Sequence, residues 1–341
     1  MVKIFGAAFD PLDTPERVDV KIAYLNWLKT HAMSENNFLD PYDIIENNLE
    51  KRYSAVNGTE WIGKFAVDSW LRPKPLISDL EYISQKKYTK FLDSNGCYDY
   101  YNKLVDYITK NVGSSIPVMI GIDHCLTGGV LRYLKDRNKN YNVLVFDSHC
   151  DLIDLEFRKT YYGPFLRDLE GLYGEKDIYE CGSFLNYILK EEIIKPENLW
   201  IIGSQDLDKI KQNLEPLYSK KILPWIKKGM HIISKEDLIL FGIPDEIEGQ
   251  TYISFDMDLG SLVSVFAARF LNYIGLNERE FLNLIHELSE KVKTKKIELI
   301  GLDIMEIDIH FLGVEMNGNK DLTAEIASEI IDSIIYSNVK N

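Results

Sequence analysis

Excess positive charge is missing from this chain. Lys and Arg number 39 against 53 Asp and Glu, leaving a net charge of −14. A general nucleic-acid groove draws on a surplus of Lys and Arg to displace counterions, so the balance argues against one, although a local basic patch would still fit. Long apolar runs are missing as well. None approaches the ~20 residues that a membrane span needs, and the apolar stretch within Met1–Asp10 is too short for a secretory leader. Cysteine is scarce: Cys97, Cys125, Cys150 and Cys181 show no CxxC pairing. A disulfide framework is therefore not expected, and a reducing cytoplasm is the expected compartment. There is no internal repeat and no low-complexity segment. What remains is ordinary globular composition, 45% hydrophobic and 27% charged over 341 residues, enough for one large α/β domain or two smaller ones.

Strand-like apolar runs recur along the chain. Lys3–Phe9 reads as a first strand ending at Asp10, and Val18–Thr30 has helical spacing. Further strand-like runs are Ile116–Ile120, Val143–Phe146, Leu199–Ile202, Met230–Ile233, Tyr252–Phe255, and Ile297–Ile300 continuing to Ile307. Helical stretches fall between most of them, among them Glu278–Lys293 and the apolar face of Leu322, Ile326, Ile330, Ile331 and Ile334. Alternating strands and helices imply a mostly parallel sheet covered on both faces. Residues 30–111 are harder to place. They are read as a helical insertion or lid within a single domain spanning 1–341.

Functional groups in such sheets collect at the carboxyl ends of strands. Here nearly every strand ends in one: Asp123-His124, Asp147-Ser148-His149-Cys150-Asp151, Asp206 with Asp208, Asp256-Met257-Asp258, and Glu306. Taken singly, an Asp-x-Asp after a strand is more commonly a helix cap or a solvated loop. Together, His124, Asp147, His149, Asp151, Asp256 and Asp258 place four carboxylates and two imidazoles at neighbouring strand ends. Burying bare carboxylates costs many kcal/mol, and metal coordination is the simplest compensation. An oxygen-rich, nitrogen-poor and thiolate-free donor set favours Mn²⁺, and six ligands suit two ions sharing a water. His31, His231 and His286 need no role beyond packing or surface. Cys125 and Cys150 read as small packing residues.

These motifs resemble those of the ureohydrolase superfamily of arginases, agmatinases and formiminoglutamases. Gly121-Ile122-Asp123-His124-Cys125 resembles the superfamily's Gly-Gly-Asp-His-Ser, Asp147–Asp151 its Asp-Ala-His-x-Asp, Ser254–Asp258 its Ser-x-Asp-x-Asp, and Asp303–Ile307 its late Asp-Ile-Val-Glu-Val. The likeness runs from about residue 115 to the C-terminus. It implies a three-layer α/β/α arginase-like fold and two Mn²⁺ ions. One ion would be held by His124, Asp147, Asp151 and Asp256, the other by His149, Asp147, Asp256 and Asp258. It further implies that Asp151 shuttles the proton of the attacking hydroxide and that Glu306 pairs with a substrate guanidinium. Urea and an amine would then leave. Ile202–Asp208 resembles the arginase segment whose two acids contact a substrate α-amino group, which assigns that contact to Asp206 and Asp208. A helix cap with an acidic first turn is the plainer reading of the same residues.

Departures from the pattern fall on the substrate side. Leu259–Val263 and Phe266–Phe270 replace the superfamily's Gly/Thr/Pro-rich loop. Tyr162-Gly163 stands where a proton-transferring His-Gly is usual, which makes His310, four residues after Glu306, a candidate for that role. The expectation is therefore a Mn²⁺-dependent hydrolase of a small guanidino or amidino compound, with L-arginine first and an arginine-containing peptide in reserve. An agmatinase, a formiminoglutamase, a deacetylase-like amide hydrolase and a catalytically altered metal-binding protein are the alternatives. The resemblance is compatible with a homo-oligomer; no nucleic-acid or membrane partner is expected.

Overall fold

The computed structural model describes residues 1–12, 14–31, 39–53, 56–138, 140–154, 177–207, 216–271, 274–316 and 318–339. Eight strands form one sheet: β1 Val2–Ala7, β2 Thr59–Lys64, β3 Ile116–Gly121, β4 Asn142–Phe146, β5 Leu199–Ser204, β6 His231–Ser234, β7 Gly249–Asp256 and β8 Ile297–Met305. Their order is β2-β1-β3-β8-β7-β4-β5-β6, and every pairing is parallel. The seven runs expected from the sequence are all present. The eighth strand, β2, lies inside the stretch read as helical. It pairs with β1 at the sheet edge, and its TEWIGK sequence is mostly half-exposed, so it carries no apolar run to announce it. The rest of that stretch includes the helices Pro41–Glu50, Gln85–Asp93 and Gly96–Asn111.

Side chains alternate across a strand, and here the alternation splits the core in two. Val143 and Val145 of β4 join Phe5, Met119 and Ile201 in one apolar cluster with the helices Pro15–His31, Gly96–Asn111 and Thr127–Lys135. Leu144 and Phe146 join Ile4, Ile120, Ile202, Phe255 and Ile304 in the other. That second cluster is covered by the helices Pro41–Glu50, Glu278–Lys293 and Thr323–Ile330. The result is a sheet between two helical layers. Glu278–Lys293 shows why such a helix forms. Asn277 and Glu280 make a reciprocal capping box, and Phe281, Leu284, Ile285 and Leu288 recur on one buried face. Among the described residues, no helix is long and apolar enough to cross a membrane.

Candidate active site

The four central strands β3, β8, β7 and β4 are adjacent, and each ends in acidic or imidazole side chains. The register pairs Phe146 with Phe255 and Phe255 with Ile304, so Asp147 and Asp256 emerge level on neighbouring strands. His124 follows β3 in a short 3-10 turn that Asp123 caps by accepting the Cys125 N–H. Gly128 and Gly129 let the helix that follows pack against Tyr179 and the helix Gly96–Asn111: a Cβ at Gly128 would collide with the Tyr179 hydroxyl, and one at Gly129 would press on the Tyr101 carbonyl.

Besides a group of Asp123, Cys181 and Glu306, two groups of ligand atoms lie within 4.8 Å at these motifs: His124, Asp147, Asp151 and Asp256, and then Asp147, His149 and Asp258. Asp147 belongs to both. The six residues singled out in the sequence are thus brought together. Asp256, for which the resemblance implies a bridging place, joins the first group; its Oδ1 accepts the Asp258 N–H at 2.8 Å. His124 Nδ1 lies 3.4 Å from Asp147, 3.2 Å from Asp151 and 3.0 Å from Asp256. A single N–H can serve one of those oxygens. Nδ1 and Asp147 Oδ2 are in fact buried without a well-formed hydrogen bond, whereas a cation among these atoms would satisfy them all. The donor set and its geometry therefore fit a metal ion.

The electrostatics point the same way. Burial, and then repulsion from Asp258, pushes Asp147 up to about 6; burial and Asp147 push Asp151 up to about 7. Burial, Asp258 and Asp147 drive Asp256 well above the usual carboxylate range. Burial opposes charge on both histidines, but the surrounding carboxylates hold His124 and His149 well above their ordinary range. Among the described residues, His124 and His149 are the ion-pair partners of these carboxylates. Asp151 and Glu306 also adopt left-handed backbone conformations, with φ of 48° and 62°. This is costly for a residue with a Cβ and is concentrated at functional sites.

Further residues were not assigned from the sequence. His124 Nε2 lies 2.8 Å from Ser254 Oγ, which donates to Asp303 at 2.5 Å. Asp303 also accepts from Thr127 at 2.6 Å and from Tyr252. That chain turns Nδ1 toward the cluster. Asp206 is buried and accepts the Cys150 N–H at 3.2 Å, so its carboxylate supports the loop after β4. Asp208 and Tyr162 lie outside the described residues. His310 is turned away from the cluster, with Nε2 3.0 Å from the Pro73 carbonyl, and burial lowers its pKa. All four cysteines are buried and free of disulfides.

Glu306 does not stand open for a ligand. Arg269, fully buried, donates from Nε to Oε2 at 2.6 Å and from Nη2 to Oε1 at 2.8 Å. The same guanidinium reaches Asp123 at 2.9 Å and Asp10 at 2.7 Å. The expected free carboxylate is filled because the loop after β7 carries an arginine where the resemblance implies small residues. Arg17 and Lys21 extend the network. Arg17 pairs with Asp308 at 2.5 Å and Lys21 with Asp10 at 3.2 Å. Burial alone would raise Asp10, but Lys21, Arg17 and Arg269 hold it well below the usual range.

Residues 63–336 match the family model described as the Arginase family. The arginase of Staphylococcus aureus (strain COL) is 32% identical over 119 residues, covering 32% of this chain and 36% of that protein. Among solved structures, arginase from Bacillus subtilis subsp. subtilis str. 168 superposes with a TM-score of 0.58 at 16% identity, covering 98% of both chains. Formimidoylglutamase from the same strain gives 0.56 at 13% identity, covering 99% of this chain and 86% of that one. These two likenesses speak for the fold. With the family match spanning most of the sequence, the chain belongs to the arginase family.

Proposed function

We propose that this chain hydrolyses a C–N bond at the central carbon of a linear amidine or guanidine with the help of two Mn²⁺ ions. His124, Asp147, Asp151 and Asp256 would hold one, and Asp147, His149 and Asp258 the other. The observation that carries the reading is the pair of ligand groups sharing Asp147. Their oxygen-rich donor set suits Mn²⁺ better than a structural zinc. When bound, such a pair supplies Lewis acidity that lowers the pKa of a shared water toward neutrality.

The chain's own residues orient and move protons. Asp151 is the most exposed carboxylate of the first group, at 11% against 1% for Asp147 and 4% for Asp256. That places it to take a proton from the attacking water and return it to the leaving amine. His149 is 28% exposed while Asp258 is nearly covered, which makes the His149 side the more open approach for a substrate. Asp206, close enough to His149 to favour its charged form, remains a candidate contact for a substrate amino group.

L-arginine, giving ornithine and urea, is the first substrate to test, with agmatine and a peptidyl arginine next. The engagement of Glu306 by Arg269 favours a second reading, a formimino compound. Such a group has fewer N–H donors than a guanidinium and needs fewer acceptors. Urea release from L-arginine by Mn²⁺-loaded protein, against a metal-free control, tests the first reading. Formamide release from formiminoglutamate tests the second. Two bound Mn²⁺ with no turnover of any of these would reject both.

A further inference from the structure

Beside the metal-ligand cluster lies a second set of buried carboxylates that the chain fills with its own cation. Arg269 makes four hydrogen bonds to Glu306, Asp123 and Asp10, two of them parallel bonds to Glu306. A planar guanidinium and a carboxylate fit each other best in that fork. Glu306 Oε1 also accepts the backbone N–H of His124 at 2.8 Å, and so fixes the turn that presents the imidazole.

The arginine is anchored from behind. Its own N–H donates to the Glu306 carbonyl, and the Asp308 N–H donates to Ala267. Ala268 bridges Ile307, and Asp321 accepts the N–H groups of Phe266 and Ala267. A side chain held at both ends does not swing aside to release Glu306.

We infer that Arg269 is the specificity-determining residue of this site: by occupying the cradle of Asp10, Asp123 and Glu306 it commits Glu306 to positioning His124. A substrate's amidine group must then be held without that carboxylate. Only this last consequence rests on the amidine-hydrolase reading. The cradle itself, lined by three carboxylates and sized for a guanidinium, is a property of the folded chain.

Two variants of the full chain test it. In Arg269→Ala, guanidinium chloride at low millimolar concentration should raise the melting temperature saturably. Equal urea or sodium chloride should not, and wild type should not respond. A variant soluble only when guanidinium is present gives the same answer. A folded Arg269→Ala that matches wild type and ignores guanidinium would overturn the assignment. Glu306→Gln should weaken Mn²⁺ binding measured by calorimetry by ~10–100-fold, as loss of a group that orients a ligand does, while leaving KM for any amidine turned over at saturating metal near wild type. Unchanged metal affinity with a raised KM would make Glu306 a substrate contact and reject the proposal. Should Arg269→Ala be insoluble in both conditions, Glu306→Gln decides alone. Should wild type turn over no amidine, the functional reading fails while the guanidinium and calorimetric results still decide the roles of Arg269 and Glu306.

Discussion

Two buried carboxylate clusters sit side by side at the carboxyl ends of the central strands, and they solve the same problem differently. In one, Asp10, Asp123, Glu306 and Asp308 face Arg269, Lys21 and Arg17, so charge is largely balanced within the chain. In the other, Asp147, Asp151, Asp256 and Asp258 face two imidazoles. The pKa directions follow each carboxylate's nearest partners. Burial would raise Asp10 but its cations hold it down, whereas burial still pushes Glu306 up to about 7. In the other cluster burial would raise Asp258 but His149 holds it down, while Asp147, Asp151 and Asp256 are pushed up. The balanced cluster is finished by folding. The unbalanced one sets four carboxylates against two imidazoles, an arrangement that fits a cation from solution.

The sharpest way to break the comparison is to remove the internal cation. Arg269→Ala strands three buried carboxylates, and breaking a buried pair from one side costs roughly 3–5 kcal/mol. A corresponding fall in the urea midpoint is expected. A loss below about 1 kcal/mol, the range of an exposed pair, would show that the cluster is not balanced by Arg269.

The opposite sign is expected next door. Asp256→Asn removes a carboxylate whose charge burial, Asp258 and Asp147 already disfavour in metal-free protein. The metal-free variant should be at least as stable as wild type, while Mn²⁺ binding and turnover are lost. Retained activity, or a destabilised metal-free variant, would mean that Asp256 is not part of an uncompensated site.

The two clusters were also unequally legible in the sequence. The acids and imidazoles of the unbalanced one come in short motifs at the carboxyl ends of β3, β4 and β7, so spacing alone groups them. Arg269 is a lone arginine in a loop, and its partners lie 259, 146 and 37 residues away. Only the strand order, which sets β1, β3 and β8 side by side, brings them together. The same limit hid β2, whose half-exposed edge position demands no apolar run. Asp303 and Ser254 stood within recognised motifs, but their function depends on which face of the sheet they occupy.

Acidity offers a way to read the unbalanced cluster in whole protein. Asp147 and Asp151 bind protons in the folded metal-free chain up to about 6 and about 7, against an ordinary 3.8 when unfolded. The folded state therefore holds more protons than the unfolded state across that window, and stability falls as pH rises from about 4 to 7. His124 and His149, raised above 6.5, extend the fall to higher pH. Moving the titration of one group by a single pH unit is worth about 1.4 kcal/mol, so the summed effect is on the order of a few kcal/mol. Metal competes with those protons. The melting temperature of metal-free protein should drop between pH 5 and 8, and the stabilisation by Mn²⁺ should grow over the same range. Parallel pH profiles with and without metal would remove the cluster as the metal site.

The smallest expected effect tests how the unbalanced cluster is aimed. Ser254 stands between His124 Nε2 and Asp303. Its hydroxyl donates to the carboxylate and accepts from the ring, so the ring proton a metal would displace is the one on Nδ1, which faces Asp147, Asp151 and Asp256. Ser254→Ala removes the acceptor without touching any ligand atom. Asp303 keeps its bonds from Thr127 and Tyr252, so the fold should survive. Mn²⁺ affinity should drop at the low end of the ~10–100-fold range for such partners, with KM near wild type at saturating metal. Unaltered affinity would mean that the ring is not oriented through Nε2, and the case for Nδ1 as a ligand would then rest on the carboxylates alone.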